Sequence, residues 1–167
     1  MKLTEIAPME KWVELEKDIN RKTGLDANVF SIQGYRISDL KNWANRLCPR
    51  IKATDKGQSF ICAPAHMNIA ALAMQAKRPV IEECDAGLIK MVVPIFVNNE
   101  FLGAVGACGL LRDDGEVDSY LVNKMADIDE QEIVQLSEGI QSITTAEAES
   151  LGQYIEDRVK TIIGQRK

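Results

Sequence analysis

At 167 residues and 46% apolar content, the chain can bury one good core and has little room for a second, so residues 1–167 read as a single domain. A net charge of −5 argues against a nucleic-acid surface, which needs clustered Lys and Arg. No apolar run reaches the roughly 18 residues of a membrane span, and the start MKLTEIAPMEKW has no signal-peptide core, so the expected compartment is the cytoplasm, where thiols stay reduced.

In chain order, the first predicted helix covers residues 8–22, with Pro8 in its first turn, Gly24 as a stop, and Trp12, Leu15 and Ile19 as one apolar stripe. Residues 28–32 and 35–37 read as two short strands turning at Gln33-Gly34. Asp39 can cap a short helix that carries Trp43, Leu47 and Cys48 and is interrupted at Pro49. A polar connection over 52–58 follows, and then a helix over 63–77 flanked by Pro64 and Pro79. On that helix His66, Ala70 and Ala73 share one unusually small face.

Residues 80–111 are strand-rich, with strands at 92–97 and 101–110 joined by Asn98-Asn99-Glu100 as a hairpin turn. Helices are predicted over 117–125, 129–139 and 145–163, the last with Leu151, Ile155, Val159 and Ile162 along one face. Two strands, a helical crossover and three more strands define an α+β fold: a five-stranded antiparallel sheet with helices covering one face and further N- and C-terminal helices.

The chemistry-bearing residues sit in the middle third, where Cys48, Cys62, His66, Cys84 and Cys108 follow one another. Cys48, Cys62, His66 and Cys84 could hold zinc, since thiolate and imidazole are its preferred ligands. Their spacing, C-x13-C-x3-H-x17-C, lacks the paired C-x2-C knuckles of a strong metal signature. An iron–sulfur cluster on the four cysteines, or a haem bound by His66 or a cysteine, are alternatives. A thiol nucleophile at Cys62 or Cys84 with His66 as base is a further one. The acidic run Glu82-Glu83-Cys84-Asp85 opposes it by raising a neighbouring thiol's pKa. Buried cysteines also act as small hydrophobes, which suits Cys108 best.

The segment 101–111 places Gly103, Ala104, Gly106, Ala107 and Gly109 on both faces of one strand. Such residues mark close approach of a ligand or of another backbone. Set against the His66–Ala70–Ala73 face, they would leave a cavity, or else allow tight helix-on-sheet packing.

Leu47-Cys48 with Ile51, then Gly57 and Cys62, then Cys84-Asp85-Ala86-Gly87-Leu88, Val93-Pro94-Ile95 and Leu102-Gly103 together resemble the PocR sensory domain. The resemblance extends over residues 24–164. It implies a PAS-like fold enclosing a small-molecule pocket, a sensor without enzymatic activity, and an output signalling partner such as a helix-turn-helix regulator, histidine kinase or cyclase. The family's type member is held to sense a small diol. The recurrent cysteines of the family match Cys48, Cys62 and Cys84, while His66 has no clear place in the pattern. The expected ligand-binding set is therefore Cys48, Cys62, His66, Ala70, Cys84 and Gly106. The chain ends at Lys167 without an output module, as a stand-alone sensor or a piece of a longer protein would, and it could form a homodimer through its last helix.

Overall fold

The computed structural model describes residues 1–165. A short helix α1 (Leu3–Ile6) leads into α2 (Met9–Thr23), which starts after Pro8 and ends on Gly24. Its predicted stripe of Trp12, Leu15 and Ile19 is fully buried. Strand β1 (Asp26–Ser31) follows. The second strand expected at 35–37 is not formed: only one bridge, Phe30 to Arg36, remains of it.

The helix expected to begin after Asp39 starts later, as α3 (Leu47–Lys52). Pro49 lies inside its first turn, where a missing N–H breaks no bond. The connection expected over 52–58 is itself helical: a turn α4 (Asp55–Gly57), capped by the Thr54 hydroxyl, and a π-helical turn at Gln58–Cys62 run straight into α5 (Ala63–Ala76). Pro64 offers no N–H to the carbonyl four residues back, and next to it the Ala63 N–H reaches Gln58 instead, the i to i−5 bond of a π-turn.

β2 (Val80–Glu83), β3 (Ile89–Val97) and β4 (Glu100–Cys108) come next. Asn98 and Asn99 both take positive φ, 49° and 68°, as a two-residue hairpin with right-handed strand twist requires. The rest is β5 (Leu111–Arg112), α6 (Ser119–Ala126), α7 (Glu130–Ser137), β6 (Ser142–Ile143) and α8 (Thr145–Gly164). Thr144 and Glu147 form a capping box at the start of α8.

The main sheet has four antiparallel strands in the order β1-β4-β3-β2, not five, and β5 pairs with β6 in a separate two-stranded parallel ladder. Helices cover both faces rather than one. On the first face Val29, Met91, Val93, Ile95 and Val105 pack against α2 and α8, and the apolar stripe of α8 is spent in this core. On the second face Ile69 and Ala73 of α5 pack on Val92 and Ala104. A third cluster, built on Leu47, Ile51, Ile61, Leu88, Val122 and Ile133, ties α3, the π-turn, α6 and α7 together beside the sheet.

The small-residue strand is mostly explained by packing. A Cβ on Gly103 would stand 2.2 Å from the Phe30 carbonyl oxygen, and one on Gly109 2.7 Å from the Ala44 Cβ. Ala104 and Ala107 are buried in the two sheet-face cores. Gly106 differs: its missing side chain leaves space for a ring and an ammonium group.

Candidate functional site

Side chains alternate across a strand, so the second sheet face carries Asp26, Asn28 and Phe30 from β1, Lys90 and Val92 from β3, and Ala104, Gly106 and Cys108 from β4. Cys108 pairs with Lys90 on one side and Asp26 on the other, giving one transverse row, Lys90–Cys108–Asp26. The next row is Val92–Gly106–Asn28. Three polar residues on this face are nearly inaccessible: Lys90 is 8% exposed, Asp26 4% and Asn28 2%. Such groups are expensive to bury without partners.

Gly106 is the geometric centre of the face. A Cβ there would lie 2.8 Å from the Phe30 ring and 3.1 Å from the Lys90 Nζ. The Lys90 ammonium stands 5.1 Å from the centroid of Phe30, within cation–π range. His66, reaching down from α5, stacks on the same ring with centroids 3.7 Å apart. Lys52, at the end of α3, has its Nζ 5.9 Å from the centroid of Trp43. Arg36 approaches Asp26 at 3.9 Å.

These charges shape one another. Burial, and after it the positive charges of Lys90, Lys52 and Arg36, pull His66 down to about 3, so the imidazole is neutral at ordinary pH. Burial and then the neighbouring Arg36 lower Lys52. Burial raises Asp26 against the opposing pull of Arg36, Lys52 and Lys90. Asp26 Oδ1 and His66 Nδ1 are buried without a hydrogen-bond partner.

The four cysteines are free thiols, all partly buried. Cys48 caps its own turn through Asn45: its N–H donates to Asn45 Oδ1 at 2.7 Å, the Asn45 amide donates to its Sγ at 3.3 Å, and the same amide donates to the Gly109 carbonyl at 2.6 Å. Cys62 closes the π-turn. Cys84 begins the turn into β3: its N–H donates to the Leu88 carbonyl and its carbonyl accepts from Gly87, each at 2.9 Å. Gly87 takes φ +83° with the Glu116 carbonyl against its α-carbon, where a Cβ would come within 2.5 Å. That explains physically why Ala86-Gly87-Leu88 reads as a motif.

Cys48, Cys62 and Cys84 all pack against the third cluster. Burial raises all three thiols, Cys62 to about 11, and the proximity of the other cysteines adds to it. A neutral imidazole and thiols held this high do not form an activated Cys–His pair.

The structure thus gathers Cys48, Cys62, Cys84 and Cys108 within electrostatic reach of one another. Among the described residues, however, no three His, Cys, Asp or Glu side chains come together as a group able to hold a metal, so the expected Cys48–Cys62–His66–Cys84 tetrad is not assembled. His66 is held by Phe30 instead. Ala70 lies on the outer side of His66, where the two line a recess of about 170 Å³ with Gly34, Met67, Phe101 and Ala104. Gly106 makes room for Phe30 and Lys90.

Asp26, Phe30, Lys52 and Lys90 were not expected from the sequence. Lys90 had a usable signal: it interrupts the otherwise apolar run from Leu88 to Val97. A charge inside such a run is either a fold error or a functional group.

The fold and the patch define an α+β domain with a polar, partly unsatisfied surface buried between an antiparallel sheet and a covering helix. The family model described as the sensory domain found in PocR matches residues 5–166, nearly the entire chain. The protein belongs to the PocR sensory-domain family. No curated protein and no solved structure matches it. Among the described residues no helix is long and apolar enough to cross a membrane.

Proposed function

We propose that this domain binds a small organic molecule in a PAS-like site between the second face of the sheet and the segment running from α3 into α5, and that binding shifts its conformation. The observation that carries this reading is the row Lys90–Cys108–Asp26. Cys108 stays partly accessible between a lysine and an aspartate that are both more than nine-tenths buried, which supports a polar face open to a small molecule over a sealed core.

Buried polar groups without partners destabilise the ligand-free fold, and a ligand that satisfies them recovers that cost on binding. The charge of Lys90 acts on Lys52 of α3, Cys62 of the π-turn and His66 of α5, and a rearrangement of these segments is the natural response. A π-turn is a frequent mark of functional segments. The signal would pass to an output partner, or to a second copy, over surfaces other than the apolar stripe of α8. The neutral imidazole and the high thiols support a binding role over a catalytic one, and the expected setting is the cytoplasm.

A thermal-shift screen of diols, short alcohols, small acids and their amides tests this. Binding raises stability by RT ln(1 + [L]/Kd), about 2.7 kcal/mol at a hundredfold excess over Kd. At least one compound should give a saturable rise in Tm, with slower hydrogen exchange in α3 and α5. A flat response across every class would remove the reading.

A further inference from the structure

We infer that the ligand is a small organic carboxylate, received by the ammonium groups of Lys90 and Lys52 above the Lys90–Cys108–Asp26 row. This rests on the small-molecule reading above and gives its site a chemistry.

The charge inventory of the recess leads there. Its cations are Arg36, Lys52 and Lys90, and its anions are Asp26 and, behind β1, Glu16. Glu16 is satisfied, and Asp26 is shared among the three cations, its Oδ1 without a hydrogen bond. Asp26 faces Arg36 at 3.9 Å. Glu16 accepts the Val29 N–H at 2.8 Å and the Ser38 hydroxyl at 2.6 Å. Glu82 is paired with Lys90 across β2 and β3 but is exposed and makes no ion pair with it.

Lys90 and Lys52 therefore have no hydrogen bond or ion pair to any described residue, only the faces of Phe30 and Trp43. The Lys90 ammonium is more than nine-tenths buried, and Asp26, the anion of its row, also acts on Lys52 and Arg36, so three cations share one carboxylate and positive charge is left over. Gly106 is what lets the Lys90 Nζ lean across the sheet, 3.1 Å from where a Cβ would stand. Phe30, Cys62 and Cys108 lie near these ammonium groups. They suit a short aliphatic body, while the two lysines suit one carboxylate. Charge-assisted N–H···O bonds in such a poorly hydrated site are the strong ones.

The test uses compounds of one size that differ in charge: propionate and lactate against propane-1,2-diol and propionamide, with inorganic phosphate as a further anion. Binding is measured by calorimetry in low-chloride buffer. Propionate or lactate should bind at least about tenfold more tightly than the neutral pair and than phosphate, a factor worth about 1.4 kcal/mol. Lys90→Met and Lys52→Met should each weaken the carboxylate by about tenfold or more. Lys90→Met should leave the ligand-free Tm unchanged or higher, because it removes one of three cations that share a single carboxylate. A lysine with a merely structural role would lower it.

Tighter binding of the diol or amide, tighter binding of phosphate, or full carboxylate affinity in both variants would overturn the carboxylate assignment and leave small-molecule sensing standing. Should Lys90→Met fail to fold, Lys52→Met decides. If no compound of either charge binds, both readings fall together.

Discussion

The imidazole of His66 lies flat on the Phe30 ring, centroids 3.7 Å apart and planes inclined by 25°. This contact joins α5 to the edge strand β1, two elements more than thirty residues apart in the chain. It also places the neutral ring beside the cations of the recess, so the stack reports on the site electrically as well as mechanically.

His66 is the only histidine, which makes its titration easy to read. Its folded pKa, about 3, lies below the ordinary value of 6.5, so the unfolded chain takes up the proton first. Its contribution to stability is present above that ordinary value and is lost as pH falls toward the folded one. From pH 7 to pH 5 the loss is about 2 kcal/mol. Asp26 and Glu16, both raised, act in the opposite direction. His66→Phe keeps the stack and removes the titration. Urea unfolding should therefore show a shallower acid loss for the variant than for the parent, and the His66 ring signals in NMR should not move between about pH 5 and 8.

Gly106→Ala puts a methyl group 2.8 Å from the Phe30 ring and 3.1 Å from the Lys90 Nζ. Overpacking of this kind costs about 1–3 kcal/mol. The expected result is a lower urea midpoint together with a changed environment for the His66 ring signals, since Phe30 must shift under it. A neutral outcome in both measurements would mean that Phe30 and Lys90 have room to spare.

The buried cysteines should be slow nucleophiles. With Cys62 near 11 and Cys48 and Cys84 also raised, the thiolate fraction at pH 8 is small. Relative to an ordinary thiol near 8.5, alkylation of Cys62 by iodoacetamide should be slower by about two orders of magnitude. Mass spectrometry of timed samples checks this, with the urea-unfolded chain as reference. Rapid labelling of the folded protein at Cys62 would show an activated thiol.

Glu16 is fully buried, and its carboxylate serves the unpaired side of the edge strand by accepting the Val29 N–H at 2.8 Å and the Ser38 hydroxyl at 2.6 Å. Glu16→Ala leaves a buried backbone donor unsatisfied and opens a void. A loss of about 2–4 kcal/mol is expected in urea unfolding. Ser38→Ala should cost about 1 kcal/mol, because the carboxylate keeps its backbone donor.

Much of the fold was legible locally. The Trp12–Leu15–Ile19 stripe, the Asn98-Asn99 turn and the long last helix each follow from periodicity or turn chemistry within one segment. The lost strand at 35–37 and the late start of α3 went the other way. Residues 32–46 form no ladder beyond one bridge, and their course is decided by what they cover, with Ser38 on Glu16 and the Leu40 and Asn42 carbonyls on Asn28 and Asn20.

The site divides along the same line. By itself the sequence determined that the cysteines and the lone histidine cluster in the middle third, that the segment at 101–111 is unusually small, and that the Cys84–Leu88 segment carries a family signature, because composition and turn-forming glycines are properties of neighbours in the chain. Only the tertiary structure decided that His66 meets Phe30, that Gly106 makes space for Lys90, and that Lys90, Cys108 and Asp26 form one row. Those relations depend on strand register and on where a helix lands on a sheet, and both are set by long-range packing of the apolar faces rather than by any local pattern.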